Sequence, residues 1–589
     1  MTYIFWDLSK QMAFPLPGVV LQNSISLSMD VSGVPALAVG PLNDVYFAAA
    51  MKGIGTNITG PPSTNTPMPP TTTSNLYNII IGNYTDKGSR QVNYPSISGA
   101  SNTDAYSFYN SAYLDDFTTT LHSNLYIFGD SPNVNTLLGT TDDSSPSIAV
   151  GPNSEVYLAY VTQSSVYGRY NMDSPLVPSF CGCASPGPRD IVVTRLNNYN
   201  KFAPSSAGAL MNFYATLAQW RLQDATINSC SDDTNPKLAI DRTNLFLYMV
   251  HQTASQILCY PVVGTGPNII LSCLSLQTGA VVWREAQRGL NGATGQTTNP
   301  AVAVDTAGGI CVAMEITGPL DGGSGDLSGA TQIVDVVKYT QSTTSPGVFG
   351  SKLRTWVLSQ FVDLTPGSGL ACRQPTIAMN PVTGQILVAF VTTGTLPGKT
   401  RSVAPGFTDL VVVTLNADGT NIRVQQGGVF NPIATPYQSA SSPYATNDVY
   451  GNFYLSFNVV ETTGDTNVFI YKMRPGGDSQ WSYGGTHDAY ALAGNGNPNA
   501  IFPTDAPVYP TAATYSQTPI AIGSNVLCTA TRTNNAQDIT PSETGFPGSN
   551  GLAVGFLNET LYYLNDTAYN YMVNTKSICA CGTTNCGCT

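Results

Sequence analysis

The sequence predicts an all-β protein, a seven-bladed β-propeller with four-stranded antiparallel blades and long loop insertions in its first two blades. Three observations lead to this fold. A proline-led segment recurs seven times along the 589-residue chain. Each copy leads into a second run of strand-forming residues, and most copies lead into a third. Four of the five tryptophans then share one position in the repeat. About four strands per unit, repeated about seven times, is the pattern expected of a propeller.

The recurring segment is a proline followed by an aliphatic residue, an alanine and a second aliphatic residue. The triplets are Leu37-Ala38-Val39, Ile148-Ala149-Val150, Leu238-Ala239-Ile240, Val302-Ala303-Val304 and Ile377-Ala378-Met379, with looser copies at Tyr444-Ala445-Thr446 and Ile520-Ala521-Ile522. In the first five copies the proline stands three residues before the alanine, and in the last two it stands one residue closer. We expect the small alanine to lie in a crowded inner strand, where a large side chain would clash.

The remaining strands of each unit follow from residue type. Runs rich in valine, tyrosine and leucine begin at Asp44, Glu155, Leu245, Gly309, Gln385, Asn452 and Asn525 and are typical of second strands. Third strands are predicted from Asp190, Asn268, Gln332, Asp409, Asn467 and Gly551. The fourth strand is placed by Trp220, Trp283, Trp356 and Trp481.

This repeat predicts the domain organisation. Residues 1–30 form an N-terminal segment, expected to be a ring-closing strand or an arm. Residues 31–565 form the propeller, with blades starting near residues 35, 146, 236, 300, 375, 443 and 519. Residues 566–589 form a cysteine-rich tail. The excess sequence lies around residues 55–75, 100–122 and 164–189, and such insertions usually build an interaction surface.

The proline-led phrase, continued by glycine, valine, tyrosine, leucine and alanine, resembles the seven-bladed β-propeller repeat (SBBP) family of bacterial surfaces and large viruses. The likeness extends over nearly the whole chain and is specific in the first half of each repeat. The resemblance implies a propeller fold and a surface or virion location. The segment from Leu276 to Trp283 is also similar to the tryptophan-docking repeat of quinoprotein propellers. That likeness occurs once and supports the architecture, without implying a quinone cofactor.

Composition and charge narrow the classes of partner. The net charge is −12 and no basic run occurs, so a nucleic-acid partner is not expected. No apolar segment is long enough for a transmembrane helix, and membrane insertion is not expected. Charged residues make up 10% of the chain, against about 25% in an average soluble domain. A neutral polar surface of this kind favours a virion or extracellular location.

The cysteines carry the strongest chemical signal. Six of the twelve form Cys-x-Cys pairs, at Cys181/Cys183, Cys579/Cys581 and Cys586/Cys588. Disulfides or cross-links are the favoured interpretation, with the tail tied to Cys181 and Cys183 and a separate bridge from Cys259 to Cys273. A zinc or copper site at Cys579, Cys581, Cys586 and Cys588 is the alternative, and free thiols are the third.

Other site chemistry is sparse. His122, His251 and His487 fall in different copies, so a catalytic triad is hard to assemble, and each is expected to be structural. Asp305, Glu315, Asp321 and Asp326 flank a glycine-rich loop that could bind structural calcium. No cofactor is otherwise expected.

These observations favour a non-catalytic structural or adhesive propeller, displayed on a virus particle or a microbial surface. Its expected partners are proteins of an assembly, including further copies of the chain, with glycans as another class. The alternative is a glycan-active propeller hydrolase or lyase, which needs Asp, Glu, Arg or His side chains that converge on one rim. An intracellular scaffold with reduced cysteines is the third hypothesis.

Overall fold

The computed structural model is nearly all β and consists of antiparallel sheets, six of them four-stranded. It describes residues 20–27, 30–41, 43, 45–52, 77–84, 124–128, 142–152, 155–162, 189–196, 218–222, 226–229, 231–241, 246–254, 267–287, 295–318, 320, 329–341, 352–427, 438–448, 450–460, 466–473, 479–484, 515–516, 518–523, 527–533 and 551–558. In this part of the chain no helix is both long and apolar enough to cross a membrane.

The strands in chain order are β1 (Val20–Leu27), β2 (Asp30–Val39), β3 (Val45–Lys52), β4 (Asn78–Tyr84), β5 (Asn124–Phe128), β6 (Ser144–Val150), β7 (Val156–Thr162), β8 (Asp190–Leu196), β9 (Ala218–Leu222), β10 (Asp233–Asp241), β11 (Phe246–Thr253), β12 (Asn268–Ser275), β13 (Val281–Gln287), β14 (Thr297–Val304), β15 (Gly309–Ile316), β16 (Ile333–Gln341), β17 (Lys352–Val357), β18 (Cys372–Met379), β19 (Ile386–Thr392), β20 (Asp409–Leu415), β21 (Arg423–Gln426), β22 (Ser439–Asn447), β23 (Phe453–Val460), β24 (Thr466–Met473), β25 (Ser479–Gly484), β26 (Tyr515–Ser516), β27 (Ile520–Ile522), β28 (Leu527–Thr533) and β29 (Gly551–Asn558). A 3-10 helix follows β17 at Leu358–Gln360.

Six sheets are each built from four consecutive strands. We number them in chain order: sheet 1 (β2–β5), sheet 2 (β6–β9), sheet 3 (β10–β13), sheet 4 (β14–β17), sheet 5 (β18–β21) and sheet 6 (β22–β25). Sheet 7 joins both ends of the chain, because β1 pairs antiparallel with β29, beside β28, β27 and β26. Trp220, Trp283, Trp356 and Trp481 lie on β9, β13, β17 and β25, so the predicted four-strand unit is confirmed.

Successive sheets are joined through their first strands. The strands β2, β6, β10, β14, β18 and β22 each contact the next in this order, and β27 contacts both β22 and β2. A repeated main-chain hydrogen bond also links each of sheets 2 to 6 to the sheet before it. The N–H three residues before the proline donates to a carbonyl that precedes the third strand of the previous sheet. The pairs are Asp143–Tyr77, Asp233–Arg189, Thr297–Pro267, Cys372–Gln332 and Ala440–Thr408, at 2.8–3.0 Å.

The core lies between the sheets because both faces of each sheet are apolar. Ile148 and Val150 of β6 pack against sheet 1, whereas Ala36 and Ala38 of β2 pack towards sheet 2. Second strands lie in the middle of their sheets, and every residue of β7, β15 and β19 is buried. First strands are edge strands and stay partly exposed, as in β10 and β22.

In the last two copies the alanine of the triplet does not occupy the central position that we expected. Ala239 pairs with Tyr248 in sheet 3, and the residue that pairs with the matching Tyr454 in sheet 6 is Thr446. In sheet 7 the same distance from the proline falls on Ile522. The structural repeat is therefore aligned on the proline. A larger residue is accommodated at the central position, contrary to the expected clash.

Candidate functional site

A repeated backbone distortion marks one end of the sheets. The pairing of first and second strands shifts register next to the proline in sheets 1 to 6. In these six bulges a residue just before the proline has a positive φ: Gly33 (69°), Ser145 (51°), Asn235 (55°), Asn299 (48°), Gln374 (57°) and Ser442 (49°). This left-handed conformation costs a non-glycine residue about 1–3 kcal/mol. Strain repeated at equivalent positions in this way is a feature often found at binding sites.

The bulges turn polar side chains towards solvent. Asn299 and Gln374 are exposed, whereas Pro300 behind Asn299 is buried. Neighbouring bulges also form hydrogen bonds with each other. The amide of Asn235 donates to Oδ1 of Asn299 at 3.3 Å, and the main-chain N–H of Ser442 donates to Oε1 of Gln374 at 2.8 Å. We call the six positive-φ residues the bulge surface. They comprise one glycine and five residues with neutral amide or hydroxyl side chains.

Glu315 connects this surface across two sheets. Its side chain is 3% exposed, yet both carboxylate oxygens are engaged. Oε1 accepts from the main-chain N–H of Gln374 at 2.6 Å. Oε2 accepts from the Gln332 amide at 2.6 Å and from the Thr298 hydroxyl at 3.3 Å. Glu315 thus holds the strained bulge of sheet 5 against sheet 4.

A positively charged side chain, Arg373, lies at the same end of sheet 5. Arg373 is exposed and immediately precedes Gln374. At the equivalent position the other sheets carry hydroxyl residues, such as Thr234, Thr298 and Ser441. Arg373 is therefore the single charged side chain at this position among sheets 2 to 6.

An acid and a histidine lie buried close to the bulge of sheet 3. Oδ1 of Asp233 is 3.7 Å from Nε2 of His251, and both side chains are 0% exposed. Oδ2 of Asp233 accepts from the main-chain N–H of Ser229 at 2.6 Å. Within the described part of the chain, Oδ1 of Asp233 and both ring nitrogens of His251 have no hydrogen-bond partner. The corresponding residues of other second strands include Met314 and Phe390, so His251 is a polar residue at an apolar position.

Burial sets the protonation of this pair. It raises the pKa of Asp233 to about 8, and the neighbouring Asp190 adds to the increase. Burial also lowers the pKa of His251 to about 3, helped by the positive charge of Arg284. Both groups are therefore mainly neutral near pH 7.

Most of the sequence-predicted cysteine sites fall outside the part that the structure describes. This holds for Cys181, Cys183, Cys259, Cys579, Cys581, Cys586 and Cys588. Cys273 is a buried free thiol in β12 rather than half of a disulfide. Burial raises its pKa, and it raises the pKa of Cys311 and Cys372 to about 12. These thiols are therefore poor nucleophiles and poor metal ligands.

The predicted calcium cluster is not assembled from its described members. Asp305 accepts from the main-chain N–H groups of Ala307 and Gly309, and so caps the hairpin before β15. Glu315 lies at the other end of that strand. Asp321 and Asp326 lie outside the described residues, as do His122 and His487. Among the residues that can be placed, no group of three metal-ligating side chains occurs.

Comparison with known proteins gives structural similarity only. No family model and no curated protein matches the sequence, so the SBBP resemblance is not confirmed. The propeller domain of a trilobed protease from Pyrococcus furiosus is 7% identical, with 88% of this chain and 98% of that chain covered and a TM-score of 0.36. An α-L-arabinanase from Penicillium chrysogenum is 11% identical, with 71% and 93% covered and a TM-score of 0.35. A sialidase from Streptococcus pneumoniae is 9% identical, with 91% and 71% covered and a TM-score of 0.34.

These neighbours correct the functional expectation. We expected a non-catalytic structural or adhesive module and no enzyme, but an arabinanase and a sialidase are among the similar structures. The expectation of a non-enzymatic protein is therefore withdrawn. The sequence favoured the non-catalytic hypothesis because no catalytic motif occurs and the three histidines fall in different copies. Glu315, Arg373 and Asp233 lie far apart along the chain, so no local pattern indicates them.

Proposed function

We propose that the chain is a seven-bladed β-propeller that cleaves a glycan bound at the bulge surface. The ring is supported by seven sheets in the described residues and by the order of first-strand contacts, in which β27 meets both β22 and β2. The pairing of β1 with β29 would then close the ring in the seventh blade. Closure of this kind removes exposed sheet edges.

One observation carries the functional proposal. The bulge residues Asn299, Arg373 and Ser442, with amide, guanidinium and hydroxyl side chains, lie at a single end of the sheets, and the buried carboxylate of Glu315 holds the main chain of Gln374 there. Sugar hydroxyls both donate and accept hydrogen bonds, and amides do the same. The exposed amides of Asn299 and Gln374 therefore suit a glycan better than an apolar ligand. A few well-placed polar groups on a rigid sheet end are typical of small-molecule sites.

We assign Glu315 a positioning role. Its carboxylate fixes the main chain of Gln374 in the left-handed conformation, and so directs the Gln374 amide towards solvent. Since both of its oxygens are occupied, Glu315 acts on the ligand through Gln374. Arg373 supplies the positive charge at this end and would bind a carboxylate of an acidic glycan, or stabilise the negative charge that develops during elimination.

The test is product release from a panel of neutral and acidic polysaccharides, followed as new reducing ends for hydrolysis and as unsaturated products for elimination. We expect the wild type to release product from at least one polysaccharide and Gln374→Ala to lose most of that activity. Asn421→Ala is the matched control, because Asn421 also has a positive φ of 53° but lies in the turn between β20 and β21. Absence of product from every polysaccharide, or equal loss in the two variants, contradicts the proposal.

A further inference from the structure

A loop of sheet 5 lies beside the bulge surface. Residues 393–408 connect β19 to β20, and they lie at the same end as the bulges because β19 ends beside the start of β18. The loop also reaches the next sheet, since the main-chain N–H of Thr408 donates to Oγ of Ser439 in β22 at 3.1 Å. Ser439 stands three residues before Ser442 of the bulge surface, at most about 10 Å along an extended strand. A glycan longer than one sugar can therefore extend from the bulge surface to this loop.

Hydrogen bonds hold the tip of the loop in place. The guanidinium of Arg401 donates to the main-chain carbonyls of Ala404 and Phe407. The main-chain N–H of Phe407 donates to the carbonyl of Ala404 at 3.3 Å. Behind the tip, the N–H and the hydroxyl of Ser402 donate to the two carboxylate oxygens of Asp409, which is fully buried. The backbone that carries Phe407 is therefore fixed from both sides.

The two large apolar side chains of this tip differ in burial. Val403 is 9% exposed and packs in the core that sheets 5 and 6 share. The larger Phe407 is 38% exposed. Phe361 is also exposed, but it lies edge-on against the ring of Trp356. Among the described residues, no aromatic or cationic side chain lies against the ring of Phe407. Phe407 thus presents an aromatic face to solvent at the bulge end of sheet 5.

We propose that Phe407 is a subsite of the glycan site, where its ring stacks against a pyranose ring next to the sugar bound at the bulge surface. This subsite rests on the proposed function, because it requires a glycan at the bulge surface. The C–H groups on one face of a pyranose are weakly positive, and the face of an aromatic ring is negative. Stacking also removes the exposed ring of Phe407 from water.

The subsite defines the class of substrate. One sugar cannot contact both the bulge surface and Phe407, so the ligand is a chain of sugars. The sugar on Phe407 must offer a face of C–H groups that hydroxyls do not obstruct. The substrate is therefore an oligosaccharide or polysaccharide of pyranoses, and a disaccharide occupies the bulge surface alone.

Affinity should consequently rise with chain length. An aromatic stack of this kind changes affinity by about fivefold. We expect Phe407→Ala to weaken the binding of a hexasaccharide by this factor and to leave the binding of the disaccharide unchanged. Phe407→Trp keeps a flat aromatic face and should bind the hexasaccharide as tightly as the wild type or more tightly.

The experiment is calorimetric titration of the full chain in the cold, where cleavage is slow. The probes are cellohexaose, xylohexaose, mannohexaose and hexagalacturonic acid, each with its disaccharide. Tyr450→Ala is the matched control, because Tyr450 is an aromatic residue that is 70% exposed in the turn between β22 and β23, at the opposite end of the sheets. Thermal unfolding shows whether each variant is folded.

Weaker binding of a hexasaccharide by Phe407→Ala than by the wild type and Tyr450→Ala supports the proposal. Equal binding by the wild type and Phe407→Ala, or an equal loss in Tyr450→Ala, overturns the subsite. Absence of binding to every hexasaccharide overturns it as well. Product release from polysaccharides then decides separately whether the proposed function stands without the subsite.

Discussion

The indole N–H of Trp220 in β9 donates a hydrogen bond of 2.9 Å to the main-chain carbonyl of Leu276, in the turn between β12 and β13 of the next sheet. The Arg195 guanidinium and the Tyr157 hydroxyl donate to the same carbonyl at 3.1 and 3.2 Å. The indole ring also lies against Gly279. One carbonyl thus joins sheets 2 and 3 at their outer side.

The same junction recurs between sheets 4 and 5. The Trp356 indole and the Lys338 ammonium both donate to the carbonyl of Ala417, at 3.1 and 2.9 Å. Phe361 lies against Gly419 in the place that Trp220 takes against Gly279. In sequence, only the segment from Leu276 to Trp283 resembles the tryptophan-docking repeat. In the described residues, a tryptophan bonds to a carbonyl of the next sheet at two junctions.

The first prediction concerns the contact between Trp220 and Gly279. A Cβ at Gly279 would lie 2.6 Å from the Trp220 ring, and the φ of this glycine is +73°. We expect Gly279→Ala to lower the free energy of unfolding by about 3 kcal/mol, from overpacking together with backbone strain. Gly398→Ala is the control, since Gly398 has a φ of +68° and open space around it. It should cost about 1 kcal/mol. Equal losses in urea denaturation would contradict the packing role.

The second prediction concerns the strain in the bulges. Ser145 has a φ of 51°, and glycine adopts this conformation without a steric cost. We expect Ser145→Gly to raise the free energy of unfolding by about 0.5–1 kcal/mol. The neighbouring Ser144→Gly should lower it by a similar amount, because Ser144 is an ordinary strand residue. Thermal and urea unfolding of both variants test the prediction, and a loss in both would argue against strain.

The third prediction is a pH dependence from the buried pair Asp233–His251. Because the folded pKa of His251 is about 3, its contribution to stability is lost as the pH falls below about 6.5. Because the folded pKa of Asp233 is about 8, its contribution is present at low pH and is lost as the pH rises from about 4 to 8. Between about pH 4 and 6.5, the His251 term makes the free energy of unfolding rise with pH and the Asp233 term makes it fall.

Single substitutions separate these slopes. Phe390 occupies the position in β19 that His251 occupies in β11. In His251→Phe, we expect the free energy of unfolding no longer to decrease as the pH falls below about 6.5. In Asp233→Asn, we expect the free energy of unfolding no longer to decrease as the pH rises from about 4 to 8. Urea denaturation at a series of pH values measures both. A pH profile unchanged by either substitution would show that the pair does not titrate as described.

The fourth prediction tests Glu315 as a positioning residue. Glu315→Ala leaves the main-chain N–H of Gln374 without its acceptor, and should lower the free energy of unfolding by about 2 kcal/mol. Glycan cleavage should fall with it, through a lower kcat and a higher KM. Glu315→Gln keeps an acceptor oxygen and should restore most of both quantities. Failure of this conservative variant to rescue cleavage, with stability restored, would instead indicate that the carboxylate reacts directly.

Much of the fold follows from local sequence. The prolines before Ser147, Lys237 and Thr376 start equivalent strands because proline limits the backbone in the same way at each position. The sequence repeat was aligned on its alanine, and this alignment is wrong in the last two copies, where Thr446 and Ile522 occupy the central position. Proline determines the register of the bulge, and packing tolerates more than one side-chain size.

The candidate site could not be predicted in the same way. Glu315 lies beside a glycine-rich loop and therefore resembled a calcium ligand, yet its partner Gln374 is 59 residues away. His251 looked like an isolated residue, and its relation to Asp233 depends on the register between β10 and β11. Such pairs are formed by strand pairing and sheet packing, which leave no local motif.

Hydrogen–deuterium exchange of the full chain, with and without the glycan that it cleaves, tests the central claim most directly. Glycan bound at the bulge surface should slow exchange in segments 142–147, 295–301 and 372–376. Exchange should be unchanged in the hairpin turns 305–309 and 380–384, at the opposite end of the sheets. Protection confined to those turns, or absent from all three bulge segments, would contradict the proposed site.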